Sequence, residues 1–415
     1  MDTAIAVIDV GKTRTKLTLW SESRIVRQAD RGNSAVSKDG AAQLDVAGIH
    51  DWLIATLADF ARAAKIGAVV PVAHGAAAVL MQGDAAVAAL DYEAAAPADI
   101  AADYEGERDP FDATLSPRLA GGLNVGAQLY WWERLYPDLW PHDGQALLWP
   151  QYWGFVLSGV RASERTSLGC HSDLWRPLEG RFSDLALRRG WAGRLGPLRR
   201  AGDILGPIRP EIAAVTGLPS DCAVYCGLHD SNAALYAARG LVELAGGPFS
   251  VVSTGTWFVC LSAGGSADVR YDPAEDMLAN VDVDGRPTPT ARFMGGRDYE
   301  AWMGSAIGAT SDPALLAQTE ALTDGRTAAP ALRATWAALQ LARRADRALA
   351  LIGAEGPILV EGRFADDAAF GVALARLRPA QPVFRSTMAD GVALGALRLA
   401  AGANFSPPAL RRVSP

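Results

Sequence analysis

The chain opens on an apolar run, "TAIAVIDV" (3–10), and after a short glycine-containing turn reaches "TKLTLW" (15–20), where apolar and polar residues alternate. A period of two is that of a strand whose successive side chains face opposite ways, so the pattern predicts a β-hairpin. "SRIVRQA" (23–29) extends it by a third antiparallel strand. The period then lengthens. In "DVAGIHDWLIATLADFARAAK" (45–65), Val46, Ile49, Trp52, Leu53, Leu57 and Phe60 recur at helical spacing behind Asp45, a residue of capping type. "GAVVPVAHG" (67–75) reads as a buried strand ending in a turn, and "AAVLM" and "AAVAAL" flank a Gln82-Gly83-Asp84 turn.

From about 97 to 210 the pattern is loop-rich and carries most of the tryptophans, including Trp131, Trp132, Trp140, Trp149, Trp153 and Trp175. Such a stretch fits either a concave binding wall or a plain packed subdomain. "DCAVYCGLHD" (221–230) reads as a short strand leading into a turn. Regular patterning resumes with "GPFSVVSTGTWFVCLSAG" (247–264), whose centre parallels the opening of the chain. Val7 to Thr13 runs strand, Gly11 turn, threonine, strand; Val251 to Thr256 runs strand, Gly255 turn, threonine, strand. A duplicated hairpin core is expected. The C-terminal part then alternates a long helix (331–354), a strand "GPILVEGRF", a helix (366–378), the short strand "PVF" and a closing helix "DGVALGALRLAAGA". Alternating strands and helices imply an α/β architecture with mixed sheets covered by helices.

At 415 residues the chain fits two domains better than one, and half of it is hydrophobic, enough to bury sizeable cores. The net charge is −7, and the basic positions between Arg188 and Arg200 sit beside Asp184 and Asp203 without interleaved aromatics. Nucleic acid is therefore not an expected partner. No apolar run approaches the length of a membrane span, and "MDTAIAVIDV" lacks a basic start or cleavage site, so a cytoplasmic location is expected. Cys222 and Cys226 are four apart, but His229 alone does not complete a tetrahedral set. Buried free thiols are expected at Cys170, Cys222, Cys226 and Cys260 rather than structural zinc.

Gly11-Lys12-Thr13 has the form of the tail of a phosphate-binding P-loop. That motif needs a glycine five positions earlier and a helix opening after the lysine. Ala6 stands at the first place and a strand follows. The P-loop reading fails, and Asp9, at the end of the first strand, needs another account.

Four separated pieces supply one: Asp9-x-Gly11-Lys12-Thr13, Gly227-Leu228-His229-Asp230-Ser231, Ser253-Thr254-Gly255-Thr256-Trp257 and Val360-Glu361-Gly362. In this order, across nearly the whole chain, they resemble the FGGY family of carbohydrate kinases. "STGTW" and "LHDSNAAL" look most like the branch acting on ketoses and deoxyketoses such as rhamnulose and fuculose. The resemblance implies the two-domain sugar kinase–Hsp70–actin (ribonuclease H-like) fold with a central cleft. Residues 1–240 would bind a small-molecule sugar and 241–415 would bind ATP, with Mg²⁺ and a possible homodimer.

The chemistry of phosphoryl transfer calls for these residue types. It needs backbone donors and cations around phosphate oxygens, a bound Mg²⁺ and a group orienting the attacking hydroxyl. Glycine turns let N–H groups approach phosphate closely. Gly11, Lys12, Thr13, Lys16, Thr254, Gly255, Thr256 and Gly362 are the expected nucleotide contacts, with Asp9 holding Mg²⁺ through water. Asp230 is the expected catalytic base. A bland alternative, that Asp230 only caps the helix after it, is set aside because of the resemblance. His74, Gly75, His171, Asp173 and His229 are the expected sugar contacts, His74 being equally readable as a turn residue. Glu361 stands where the family has the first glycine of a pair, and adenine would stack beyond Gly362. A non-catalytic nucleotide- or sugar-binding regulator and a phosphohydrolase are the alternatives on the same fold.

Overall fold

The structure, a computed structural model, describes residues 3–22, 24–140, 142–241, 243–266, 268–386, 390–402 and 409–414. Two compact units form. One comprises Met1–Ala237, Ala279–Pro287 and Asp390–Ser406; the other comprises Ala238–Leu278, Thr288–Ala389 and Pro407–Pro415. The units are thus not two continuous halves cut near residue 240. The helix Gly391–Ala401 counts with the first unit, where Gly395 packs so closely that a Cβ would lie 1.8 Å from the Ala233 carbonyl oxygen.

In the first unit β1 (Ala4–Val10) is a central strand. Its near-continuous apolar sequence suits burial on both faces. It pairs antiparallel with β2 (Arg14–Ser21), which pairs with β3 (Arg24–Gly32), as the alternation predicts. α1 (Val46–Ala61) follows; the Asp45 carboxylate accepts from Gly48 N at 2.9 Å, and Ile49, Leu53, Leu57 and Phe60 are buried. The chain returns as β4 (Ile66–Ala73), parallel to β1. β5 (Ile204–Pro207) and β6 (Ala223–Tyr225) extend this edge, and the two-residue β7 (Leu228–His229) runs parallel to the end of β4 before α2 (Asp230–Ala238) begins. Parallel pairing brings the ends of β1, β4 and β7 to one edge of the sheet. Asp9, His74 and Asp230 therefore share that edge.

The aromatic-rich region is a packed subdomain. Trp132, Trp149, Trp153 and Trp191 are fully buried, and Trp131, Trp140 and Trp175 join the same apolar clusters. All four cysteines are unbridged and buried.

The second unit repeats the scheme. β8 (Phe249–Thr254) pairs antiparallel with β9 (Phe258–Ala263), beyond which lies β10 (Pro287–Phe293). α3 (Gly295–Met303) and the long α4 (Pro330–Leu351) follow, the latter burying an Ala/Leu stripe from Ala334 to Leu349. β11 (Ile358–Gly362) then runs parallel to β8, and α5 (Ala368–Leu377), β12 (Val383–Arg385) and β13 (Arg411–Arg412) complete the order. In both units a hairpin's first strand pairs antiparallel with its partner and parallel with a later strand. The duplication read from the sequence is borne out.

Candidate active site

Asp9 sits next to last in β1, opposite Lys16 on β2 and Val72 on β4. Burial, reinforced by the Asp230 carboxylate and opposed by Lys16, pushes the Asp9 carboxyl up to about 7; Asp390 adds a smaller push in the same direction. Three carboxylates therefore act on one small region with one ammonium, and Lys16 Nζ is already ion-paired with Asp390. Asp390 also caps the helix Gly391–Ala401, accepting from Ala393 N at 3.0 Å.

Asp230 opens α2 at the same sheet edge. Its Oδ1 accepts from Ser231 N at 2.5 Å and Ser231 Oγ at 3.2 Å, and lies 3.1 Å from His229 Nε2. Among the described residues its Oδ2 takes no hydrogen bond. One oxygen is anchored and the other is available to a ligand.

His229 is buried, with Nδ1 3.1 Å from Asn232 Nδ2. An amide nitrogen only donates, so Nδ1 accepts and the neutral ring carries its proton on Nε2. Burial lowers the imidazole's affinity for a second proton, although Asp230 opposes this. Nε2 also lies 3.3 Å from Cys170 Sγ. Gly75 packs against both: a Cβ there would lie 2.5 Å from Cys170 Sγ and 3.0 Å from His229 Nε2. His74 is buried as well, its Nδ1 2.5 Å from the Gly75 carbonyl oxygen and its ring set edge-on to Tyr92. Burial lowers its pKa too. His74, Gly75, His229 and Asp230 thus form one cluster.

The other two expected sugar contacts are tied into the structure. Asp173 is buried, accepting from Tyr104 Oη at 2.6 Å, Arg108 Nε at 2.9 Å and Asn124 Nδ2 at 3.1 Å. Asn124 Nδ2 also donates to the His171 carbonyl oxygen at 3.0 Å, and the His171 ring lies 3.0 Å from Leu123 O.

Both glycine turns are closed by the glycine's own N–H, the first across residues 11–14 and the second across 255–257. Gly11 N donates to Arg14 O and Gly255 N donates to Trp257 O, each at 3.0 Å. Around the first turn, Asn33 N donates to Thr13 O at 2.9 Å, while Lys12 Nζ is ion-paired with Asp91, lies 3.5 Å from Glu93 and sits over the Tyr92 ring. Around the second, Thr254 Oγ1 donates to Glu361 O at 2.5 Å and accepts from Phe364 N at 2.9 Å. Gly362 has φ +82°, and a Cβ there would lie 2.2 Å from Thr254 O. Only glycine fits. Burial raises the Glu361 carboxyl, opposed by the Ser253 hydroxyl.

Several neighbours were not singled out in the sequence: Asp91, Glu164, Thr166, Asp390, Gly295 and Gly296; Cys170 was expected only as a buried thiol. The Gly295-Gly296 pair was visible as a glycine doublet opening a helix. Gly296 N donates to Thr256 O at 3.1 Å, and a Cβ at Gly296 would lie 2.3 Å from Gly255 O, so the N-terminus of α3 abuts the second turn. Asp91, Glu164 and Asp390 carry no local motif beyond that of a turn or cap.

A model of the carbohydrate kinase FGGY C-terminal domain matches residues 246–335 and 317–408. The structure superposes on a carbohydrate kinase from Novosphingobium aromaticivorans with a TM-score of 0.93 and 40% identity, covering 99% of this chain and 96% of that one. It also superposes on xylulose kinase from Rhodospirillum rubrum (TM-score 0.79, 20% identity, 99% and 94% covered) and on Plasmodium falciparum glycerol kinase with ADP (TM-score 0.78, 11% identity, 99% and 94% covered). The last two likenesses concern the fold alone. No curated protein matches the chain. Fold and sequence together define a two-domain α/β sugar kinase. The chain belongs to the FGGY carbohydrate kinase family: it is a phosphotransferase with an alcohol group as acceptor and ATP as co-substrate.

Proposed function

We propose that the protein phosphorylates a hydroxyl of a ketose or deoxyketose of the rhamnulose, fuculose, ribulose or xylulose type, with Asp230 as the base. The observation that carries this reading is the meeting of Asp230 and Asp9 at one sheet edge, beside His74, Gly75 and His229. Asp230 has one oxygen fixed by Ser231 and the other open to a sugar hydroxyl.

In this reading the first unit binds the sugar and the second binds ATP. Backbone N–H groups of the Gly255 turn and of the N-terminus of α3, other than those of Gly255 and Gly296, which bond within the turn, suit phosphate oxygens. Mg²⁺ fits the charge around Asp9. A buried carboxyl pushed up to about 7 by burial and by other carboxylates is stabilised by a divalent cation. Mg²⁺ is commonly held by one or two carboxylates together with water and phosphate, rather than in an all-protein cage. Asp9 would hold it, and bound Mg²⁺ supplies charge neutralisation on the polyphosphate. Asp230 accepts the hydroxyl proton as the oxygen attacks the phosphoryl group; positioning is much of its value.

A coupled assay for ADP release, run with a panel of ketoses and polyols, tests the proposal. Sugar-dependent ADP release from a ketose is the expected outcome. Sugar-independent release points to a phosphohydrolase, and none to a non-catalytic regulator. Asp230→Ala should eliminate sugar phosphorylation while leaving ATP binding intact.

A further inference from the structure

We propose that Glu164 and Thr166 are positioning residues for Asp230, acting through the backbone of His229. The inference rests on the reading of Asp230 as base. Glu164 is buried, and its Oε2 accepts from Thr166 N at 2.9 Å, Ser167 N at 3.3 Å and the Thr166 hydroxyl at 2.5 Å. Because two amides donate to Oε2, that oxygen acts as acceptor whether or not the carboxyl is protonated. The single hydroxyl proton of Thr166 is therefore directed to Glu164. The Thr166 Oγ1 lone pairs then face the other way, and His229 N donates to Oγ1 at 3.0 Å.

This contact fixes the last N–H before Asp230. The other end of the same turn is pinned independently. Gln151, also buried, donates from Nε2 to Gly227 O at 3.2 Å, and Gly227, at φ +76°, lies so close to β4 that a Cβ would be 2.0 Å from Pro71 O. Residues 227–229 are held at both ends, and α2 starts from a fixed point. Removing the Thr166 hydroxyl leaves a buried N–H unpaired at the residue before Asp230. The strand end then shifts toward another partner and takes the carboxylate with it. Displacing a reacting group by about 1 Å costs on the order of 100-fold in rate.

The test is steady-state kinetics of sugar phosphorylation. Thr166→Val, close in shape but without the hydroxyl, should lower kcat by about 10- to 100-fold and leave the KM for ATP within about twofold. Thr166→Ser, which restores the hydroxyl, should recover kcat to within about threefold of the parent, and Glu164→Ala should lower it as Thr166→Val does. In the unaltered protein the His229 amide should exchange with solvent as slowly as core strand amides. This measurement still decides the matter if Thr166→Val fails to fold. Folded Thr166→Val with parental kcat, or a fast-exchanging His229 amide, overturns the relay. Asp230→Ala, run in parallel, separates the two ideas: if it is active, the base assignment falls and the relay with it. If it is inactive while Thr166→Val is fully active, only the relay falls.

Discussion

The turns at Gly11 and Gly255 close hairpins of one plan, the first by a four-residue turn and the second by a three-residue one, and they carry different chemistry. Counting back from each glycine, Val10 corresponds to Thr254 and Asp9 to Ser253. The register agrees: Asp9 faces Lys16 across the antiparallel pair and Val72 across the parallel one, whereas Ser253 faces Val259 and Glu361. In the first unit the acid lies on the hairpin's own strand and its antiparallel partner is cationic. In the second the acid lies on the parallel neighbour and the hairpin is neutral. One backbone plan thus sets the first turn beside a carboxylate of its own strand facing a lysine, and the second beside amides and hydroxyls, with the carboxylate on the neighbouring strand. The lesson is that glycine turns set where backbone groups go, while the residue beside each turn decides the charge.

The largest expected effect breaks this comparison on the charged side. Asp230→Ala should lower sugar-dependent ADP release by at least about 10³-fold, within the range general-base loss produces, with nucleotide affinity unchanged in a binding titration. Asp9→Asn should follow, lowering kcat by roughly 10²-fold and raising the Mg²⁺ concentration needed for half activity, checked by a Mg²⁺ titration. Next come the turns themselves. Gly362→Ala forces a left-handed backbone and a clash with Thr254 O, so it should cost about 1–3 kcal/mol in denaturant unfolding and weaken ATP more than sugar. Gly11→Ala, at an ordinary φ and with its Cβ 2.9 Å from Arg14 O, should cost less. Equal losses would show that the left-handed backbone at Gly362 adds nothing to the cost of a Cβ.

Glu164→Gln sharpens the picture through pH. Burial raises the Glu164 carboxyl from 4.5 to about 7, so between those values the folded chain holds a proton that the unfolded chain has released. Stability from this group is complete below the unfolded value and is lost as pH rises through the window. The variant has no such titration. Relative to the parent it should gain on the order of 1–3 kcal/mol between pH 4.5 and 8, measured by urea unfolding at both ends. The smallest effect is expected at Lys12→Met. Its ammonium is held by Asp91 and Glu93, so kcat should change by less than about fivefold; a loss near that of Asp9→Asn would show that the lysine moves to the phosphate.

Much of the fold was legible because its signals are local. The alternation at 15–20, the capped helical stripe after Asp45 and the apolar runs at 66–73 and 358–360 each depend on neighbours in sequence, and each became the expected element. The four motif pieces were legible for the same reason. The tryptophan region was not, since a binding wall and a packed core have the same composition. Asp390 and Glu164 were missed because their partners, Lys16 and the Thr166–His229 contact, are distant in sequence or run through a backbone group.

The sequence by itself determined the strands, helices, glycine turns and residue types, because these follow from periodicity and from what one residue permits its own backbone. Only the tertiary structure decided which charges meet. Parallel pairing of β1, β4 and β7 brings Asp9, His74 and Asp230 to one edge from positions far apart in the chain. The ion pairs of Lys12 and Lys16 are set likewise by where the fold places Asp91 and Asp390. Electrostatic energy depends on distance through space and on burial, and neither is written in the spacing of residues along the chain.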